Sequence, residues 1–202
     1  LNLILSSFVI GQNLRSLNNR FFSLLSFLGA LWAFANFMTG LQSLPVWLEA
    51  TYALGALLVA TGLIWVYVIT DRVFDKKKAL LIALIAIFFF INSFHVGFIA
   101  QRYDSIYIGG VFTGEPGLGL VIYTLFYLLG ACLILWKLFL ASKRSDEIQR
   151  KLQFKSIFYG ALITLIITAL TSFILPSFSI FSLSGLDSIG FLLFLFFIAY
   201  AI

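Results

Sequence analysis

Few residues in this chain could do chemistry, and they concentrate near one depth. His95 is the only histidine. It follows Asn92 by three positions, so on a helix the two share a face. On an apolar helix this pair can contact a ligand in an outward-facing pocket, or it can form an interhelical hydrogen bond that only holds a bundle together. Glu49 and Tyr52 share another face, close to Trp47. Glu49 can meet a cation or a hydrogen-bonding ligand; as plain structure it is an interfacial carboxylate wetted by headgroup water, beside a tryptophan of the aromatic belt. The stretch 101–116, QRYDSIYIGGVFTGEP, adds Arg102, Tyr103, Asp104, Tyr107 and Glu115. Gly109-Gly110 between β-forming residues signals a hairpin. The expectation is a short β-hairpin over the outer mouth of a bundle, serving either as a lid or as a compact connector. The candidate ligand-binding set is Asn92, His95, Glu49, Tyr52, Arg102, Tyr103 and Tyr107.

Other chemistry lacks its parts. There is no Gly-rich phosphate loop with its lysine and no HExxH, and the one histidine has no serine and acid at a telling spacing. The single cysteine, Cys132, gives no disulfide framework, and no second histidine supports a metal site. No catalytic residue, metal or cofactor is expected. Asp71-Arg72 matches the Asp-Arg pair of G-protein-coupled receptors over two residues only, and charge bias alone accounts for an arginine there.

The elements that position these residues follow from composition. Of 202 residues, 62% are hydrophobic, 18% aromatic and 10% charged. Soluble domains have about 45–50% apolar and about 25% charged residues, so the chain reads as an integral membrane protein. A disordered chain, a collagen and a nucleic-acid-binding domain are excluded. Crossing about 30 Å of hydrocarbon takes about 20 apolar residues. Five runs qualify: 21–41, 46–70, 79–100, 117–140 and 156–175. Two shorter runs, 1–10 and 189–202, stand at the ends. The expected fold class is all-α: an integral membrane bundle of seven transmembrane helices, the first and last truncated, forming one domain over residues 1–202 cut from a longer chain.

Charge orients this bundle. Arg15, Arg20, Arg72, Lys76–Lys78, Lys137, Lys143, Arg144, Arg150, Lys151 and Lys155 fall on one side, twelve of the thirteen basic residues. The eight acids divide evenly, giving that side +8 and the other −3. Basic loops are cytoplasmic, so a multi-pass cell-membrane protein is expected with its N-terminus outside, its C-terminus inside and an inner face drawn to anionic lipid heads. The small residues Ala50, Ala53, Gly55, Ala56, Ala60 and Gly62 read as close helix packing. Few ionisable groups fall mid-membrane and no pair of broken helices appears, which weakens a pump, transporter or channel. An intramembrane enzyme acting on lipid would have only His95 with Asn92 or Glu49 to work with.

Several phrases resemble the N-terminal seven-helix membrane region of sensor histidine kinases. Asn18-Asn19-Arg20-Phe21-Phe22 resembles that family's basic turn before its second helix. Gly29-Ala30-Leu31-Trp32-Ala33 is similar to its small-and-Trp phrase, and Trp47-Leu48-Glu49-Ala50-Thr51-Tyr52-Ala53-Leu54-Gly55 to the opening of its third helix. Looser matches are the loop before Pro116 running into Gly117-Leu118-Gly119, the charged run 143–155, and the close at Ala199-Tyr200-Ala201-Ile202. The resemblance implies a signal-input domain, a homodimer, and a cytoplasmic kinase or cyclase module in the same chain. The ligand on the outer side is unspecified.

Overall fold

The computed structural model describes residues 4, 6, 7, 9, 11, 15–41, 44–71, 75–95, 97–108, 111–171 and 186–201. Six helices and a strand pair are seen among them: α1 (Leu17–Leu41), α2 (Pro45–Thr70), α3 (Lys76–Ser93), β1 (Ala100–Ile108), β2 (Val111–Pro116), α4 (Leu118–Arg144), α5 (Ile148–Ala169) and α6 (Leu186–Ala201).

The bundle of seven transmembrane helices is corrected. Among the described residues four helices are long and apolar enough to cross a membrane: Leu17–Thr39, Pro45–Thr70, Leu118–Arg144 and Ile148–Ala169. That makes the chain a membrane protein by length and composition. The run 79–100 fails because its helix ends at Ser93 and begins with three lysines. Its apolar part covers only about 22 Å at about 1.5 Å per residue. The Asn92 amide turns back to donate to the Phe88 carbonyl at 2.8 Å. The chain then reverses at Gly97, whose φ of 87° is left-handed. Phe98 folds back onto Phe88 and Phe89, with ring centroids 6.1 and 6.3 Å away. The final helix has 16 residues, about 24 Å, also short of the hydrocarbon. Most of the run 1–10 lies outside the described residues.

After that reversal β1 pairs antiparallel with β2, Ala100 opposite Pro116 and Ile108 opposite Val111, with two breaks in register. Gly109-Gly110 and every side chain of residues 101–116 lie outside the described residues. The lid residues Arg102, Tyr103, Tyr107 and Glu115 therefore receive no side-chain placement.

Helix starts follow local chemistry. Pro45 opens α2 at a position where its missing N–H costs nothing. Asp75 caps α3, accepting from the backbone N–H groups of Lys77 at 3.0 Å and Lys78 at 3.2 Å. The Lys78 backbone N–H, then that of Lys77 and the Lys78 charge, hold the Asp75 carboxyl below its ordinary value. A depressed carboxyl stabilises the fold above its unfolded pKa of 3.8 and loses that contribution as pH falls through the folded value. Asp75→Ala is therefore expected to lower the Tm by a few degrees at pH 7 and by almost nothing near pH 2, while Asp75→Asn keeps most of the cap. Thermal unfolding at the two pH values checks this.

α2 is the central helix. About two thirds of its span is buried, against 17% for α4 and for α5. Its small residues do what small residues do in membranes, letting neighbours approach. Trp65, Phe22, Leu138, Ile157, Leu195 and Ile198 make the main core, and Ala56, Phe89, Ile99 and Tyr123 a second one. α4 and α5 show broad apolar outer faces, including Val121, Leu125, Leu129, Trp136, Ile163 and Ile166. They are joined by only three residues, because the charged run 143–155 does not form a loop. Most of it continues α4 through Arg144 or begins α5 at Ile148. α6 packs chiefly on α5, where the Thr164 hydroxyl donates to the Gly190 carbonyl at 2.7 Å.

Candidate functional site

One cavity of about 510 Å³ opens between α1, α2, α4 and α5. Trp32 and Asn36 come from α1, Thr51, Tyr52 and Gly55 from α2, Tyr123, Thr124 and Tyr127 from α4, and Thr168 from α5. Helical spacing explains the convergence: 32 and 36, 51, 52 and 55, and 123 and 127 each fall on one helix face. The Tyr52 and Tyr123 rings meet edge to face, centroids 5.2 Å apart at 85°. Phe89 backs Tyr123 at 5.7 Å and stacks on Phe126 at 4.7 Å. Gly55 leaves room for the Tyr123 hydroxyl, which a Cβ there would push aside. The next nearest atom to that Cβ position is the Trp32 indole nitrogen, at 3.7 Å.

The hydrogen bonding of the wall is uneven. Thr51 donates to the Trp47 carbonyl at 2.9 Å and Thr124 to the Leu120 carbonyl at 2.8 Å. The Tyr52 and Tyr123 hydroxyls and the Trp32 N–H meet no hydrogen-bond partner among the described residues. Tyr123 is 93% buried, its exposure being 7%. No described wall residue is charged. The site therefore offers polar hydrogen to a neutral guest in an apolar surround.

Of the residues expected from sequence, Tyr52 lines this cavity. Glu49 sits half-buried one turn earlier on α2 and is not among the described wall residues. Asn92 is committed to the Phe88 carbonyl in the last turn of α3, and His95 is exposed in the turn that follows. Sequence reasoning missed Trp32, Asn36, Tyr123 and Tyr127. Two tyrosines one turn apart in the apolar α4 were the signal available. Among the described residues no group of three His, Cys, Asp or Glu could hold a metal.

A narrower apolar slot of about 110 Å³ continues from the cavity, sharing Trp32, Gly55, Tyr127 and Thr168 and walled by Leu25, Leu58, Val59, Ile134 and Leu135. Beyond it, at the basic end of the bundle, lies a polar cavity of about 590 Å³. Its three cations, Lys137, Arg144 and Arg150, share the wall with three acids, Asp71, Asp146 and Glu147. Lys137 pairs with both Asp71 oxygens, at 2.8 and 3.0 Å, and lies 4.4 Å from the Tyr67 ring centre. Charge is matched within this chamber, which makes it a weaker ligand site than the uncharged cavity with its free donors. No protein-family model, no curated protein and no solved structure matches this chain.

Proposed function

We propose that the chain is a membrane-embedded signal-input domain, of the kind that precedes a histidine kinase or a similar cytoplasmic output module. The observation that carries this reading is the uncharged tyrosine-lined cavity, walled by four helices whose packing an occupant can bias. A ligand shifts such a bundle only through differential affinity for its arrangements, and a cavity between helices supplies that difference. In this reading the basic end is cytoplasmic, the N-terminus is outside and the C-terminus is inside. Supporting this, Ser156 near the start of α5 reaches the Phe197 carbonyl near the end of α6, so the carboxyl end of α6 lies toward the basic end. The bundle functions as a homodimer, and the stimulus is a membrane-borne or extracytoplasmic ligand.

A transporter or channel is the competing reading. The line of three cavities along α4 favours it, and the narrow, largely apolar slot between the two larger ones opposes it, because polar solutes would lose most of their hydration there. The natural chain beyond Ile202 is expected to encode a kinase or cyclase module, and a stop codon at that point overturns the signal-input reading. Proteoliposomes are expected to pass no solute; measured flux would favour the transporter.

A further inference from the structure

We propose that the tyrosine-lined cavity binds a neutral, ring-headed lipid carrying acceptor oxygens, of the quinone type, with its apolar tail in the adjoining slot. The inference deepens the signal-input reading and rests on it only for the ligand's purpose, not for its binding.

Three observations define the head. The wall carries no described charge, so an ionic headgroup would enter without a counter-charge and lose its hydration uncompensated. Trp32, Tyr52 and Tyr123 have polar hydrogens with no protein acceptor among the described residues. The indole N–H can only donate, so the guest must present acceptor oxygens, which the two ring carbonyls of a quinone supply. The same three side chains, with Tyr127, supply ring faces and edges suited to a planar ring.

Two more define the tail and the route. The slot that shares Trp32, Gly55, Tyr127 and Thr168 with the cavity is lined largely by aliphatic side chains and is narrow, fitting a chain rather than a second ring. On α4, Val121 and Leu125 stand at the cavity's edge with exposures of 63% and 55%, facing where lipid would lie. A guest dissolved in the bilayer reaches the cavity sideways and need not cross water.

The chain in lipid nanodiscs is titrated with a decyl-substituted benzoquinone while its unfolding temperature is followed. Decanol at equal bilayer mole fraction is the comparison. A rise in Tm with the quinone that grows with the logarithm of its mole fraction above Kd, and none with decanol, is expected, since a ligand that binds only the folded state stabilises it by RT ln(1 + [L]/Kd). Tyr123→Phe and Tyr52→Phe each remove one hydroxyl and keep the ring. Each is expected to weaken apparent affinity about five- to tenfold, whereas Tyr159→Phe, on the exposed face of α5, leaves it unchanged. Should either tyrosine variant lose its own unfolding transition, Gly55→Ala, which displaces the Tyr123 hydroxyl, is the substitute and is expected to weaken binding likewise. Equal shifts from decanol and quinone, or quinone affinity unaltered in the tyrosine variants, overturn the proposal. A quinone failure removes this ligand class alone; only the natural sequence past Ile202 decides the signal-input reading.

Discussion

Trp65→Ala is expected to destabilise the bundle by about 3 kcal/mol, the largest effect of any single truncation here. Trp65 is fully buried, packs against Phe22 with centroids 6.2 Å apart, and lies in the core shared with Leu138, Ile157, Leu195 and Ile198. Its indole N–H donates to the Asn18 side-chain oxygen at 2.7 Å, joining the end of α2 to the start of α1. The lower end of the usual range applies because lipid replaces part of the lost transfer contribution, whereas the void does not refill. Trp65→Phe keeps most of the volume and leaves Asn18 without its donor, at a cost of about 1 kcal/mol. Chemical or thermal unfolding in detergent measures both, with a Tm loss of about 6–12 °C for the alanine variant in a chain of this size. A loss within 2 °C would mean that this junction does not hold α1 to α2.

The second large effect concerns Lys137. Lys137→Met leaves the Asp71 carboxylate without its ammonium, and Tyr67 without its cation. Removing one partner of a fully buried pair costs about 3–5 kcal/mol, and exposed pairs are worth about 0–1. Here the side chains are 27% and 30% exposed, so a value near 2 kcal/mol is expected once water screening is allowed for. Asp71→Asn in the same chain is expected to recover about half of it, because the stranded charge is then gone. A double-mutant cycle over Asp71 and Lys137 isolates the coupling. Strict additivity of the two substitutions would show that the pair is a bystander at the mouth of the basic chamber.

Much of the fold was legible as hydropathy. The run 46–70 coincides with Pro45–Thr70, and the run 117–140 starts at the N-cap of Leu118–Arg144 and ends inside it. Where sequence and structure part, hydropathy was answering a different question from hydrogen bonding. Lys143 and Arg144 extend α4 past its apolar run and Arg150 and Lys151 lie in the first turn of α5, since long basic chains are good helix formers and those in the last turn of α4 complement its dipole. Conversely, residues 94–100 stay apolar after the helix has stopped at Ser93, because Gly97 and the fold-back of Phe98 turn the backbone away. Counting apolar runs therefore gave seven spans where four helices qualify among the described residues.

The candidate site was less legible, for a geometric reason. Spacing along one helix reveals which residues share a face, as it did for Glu49 with Tyr52 and for Asn92 with His95. It does not reveal which faces of different helices meet. Tyr52 finds Tyr123 and Trp32, residues 71 and 20 positions away, because Gly55 lets α4 and α1 approach α2 there. The asparagine that looked available for a ligand spends its amide on its own helix.

The bond from Thr164 to the Gly190 carbonyl has a mechanical corollary. A hydroxyl on one rod grips the backbone of the next, and further along the Ser156 hydroxyl reaches the Phe197 carbonyl. The first contact is 2.7 Å and the second 3.5 Å, so the seam is held firmly at Thr164 and more loosely at Ser156. Thr168 lies one turn beyond Thr164 on the same rod and borders the tyrosine chamber. In the proposed signal-input reading, a guest pressing on Thr168 would tilt this pair, with the carboxyl end of α6 as the far arm.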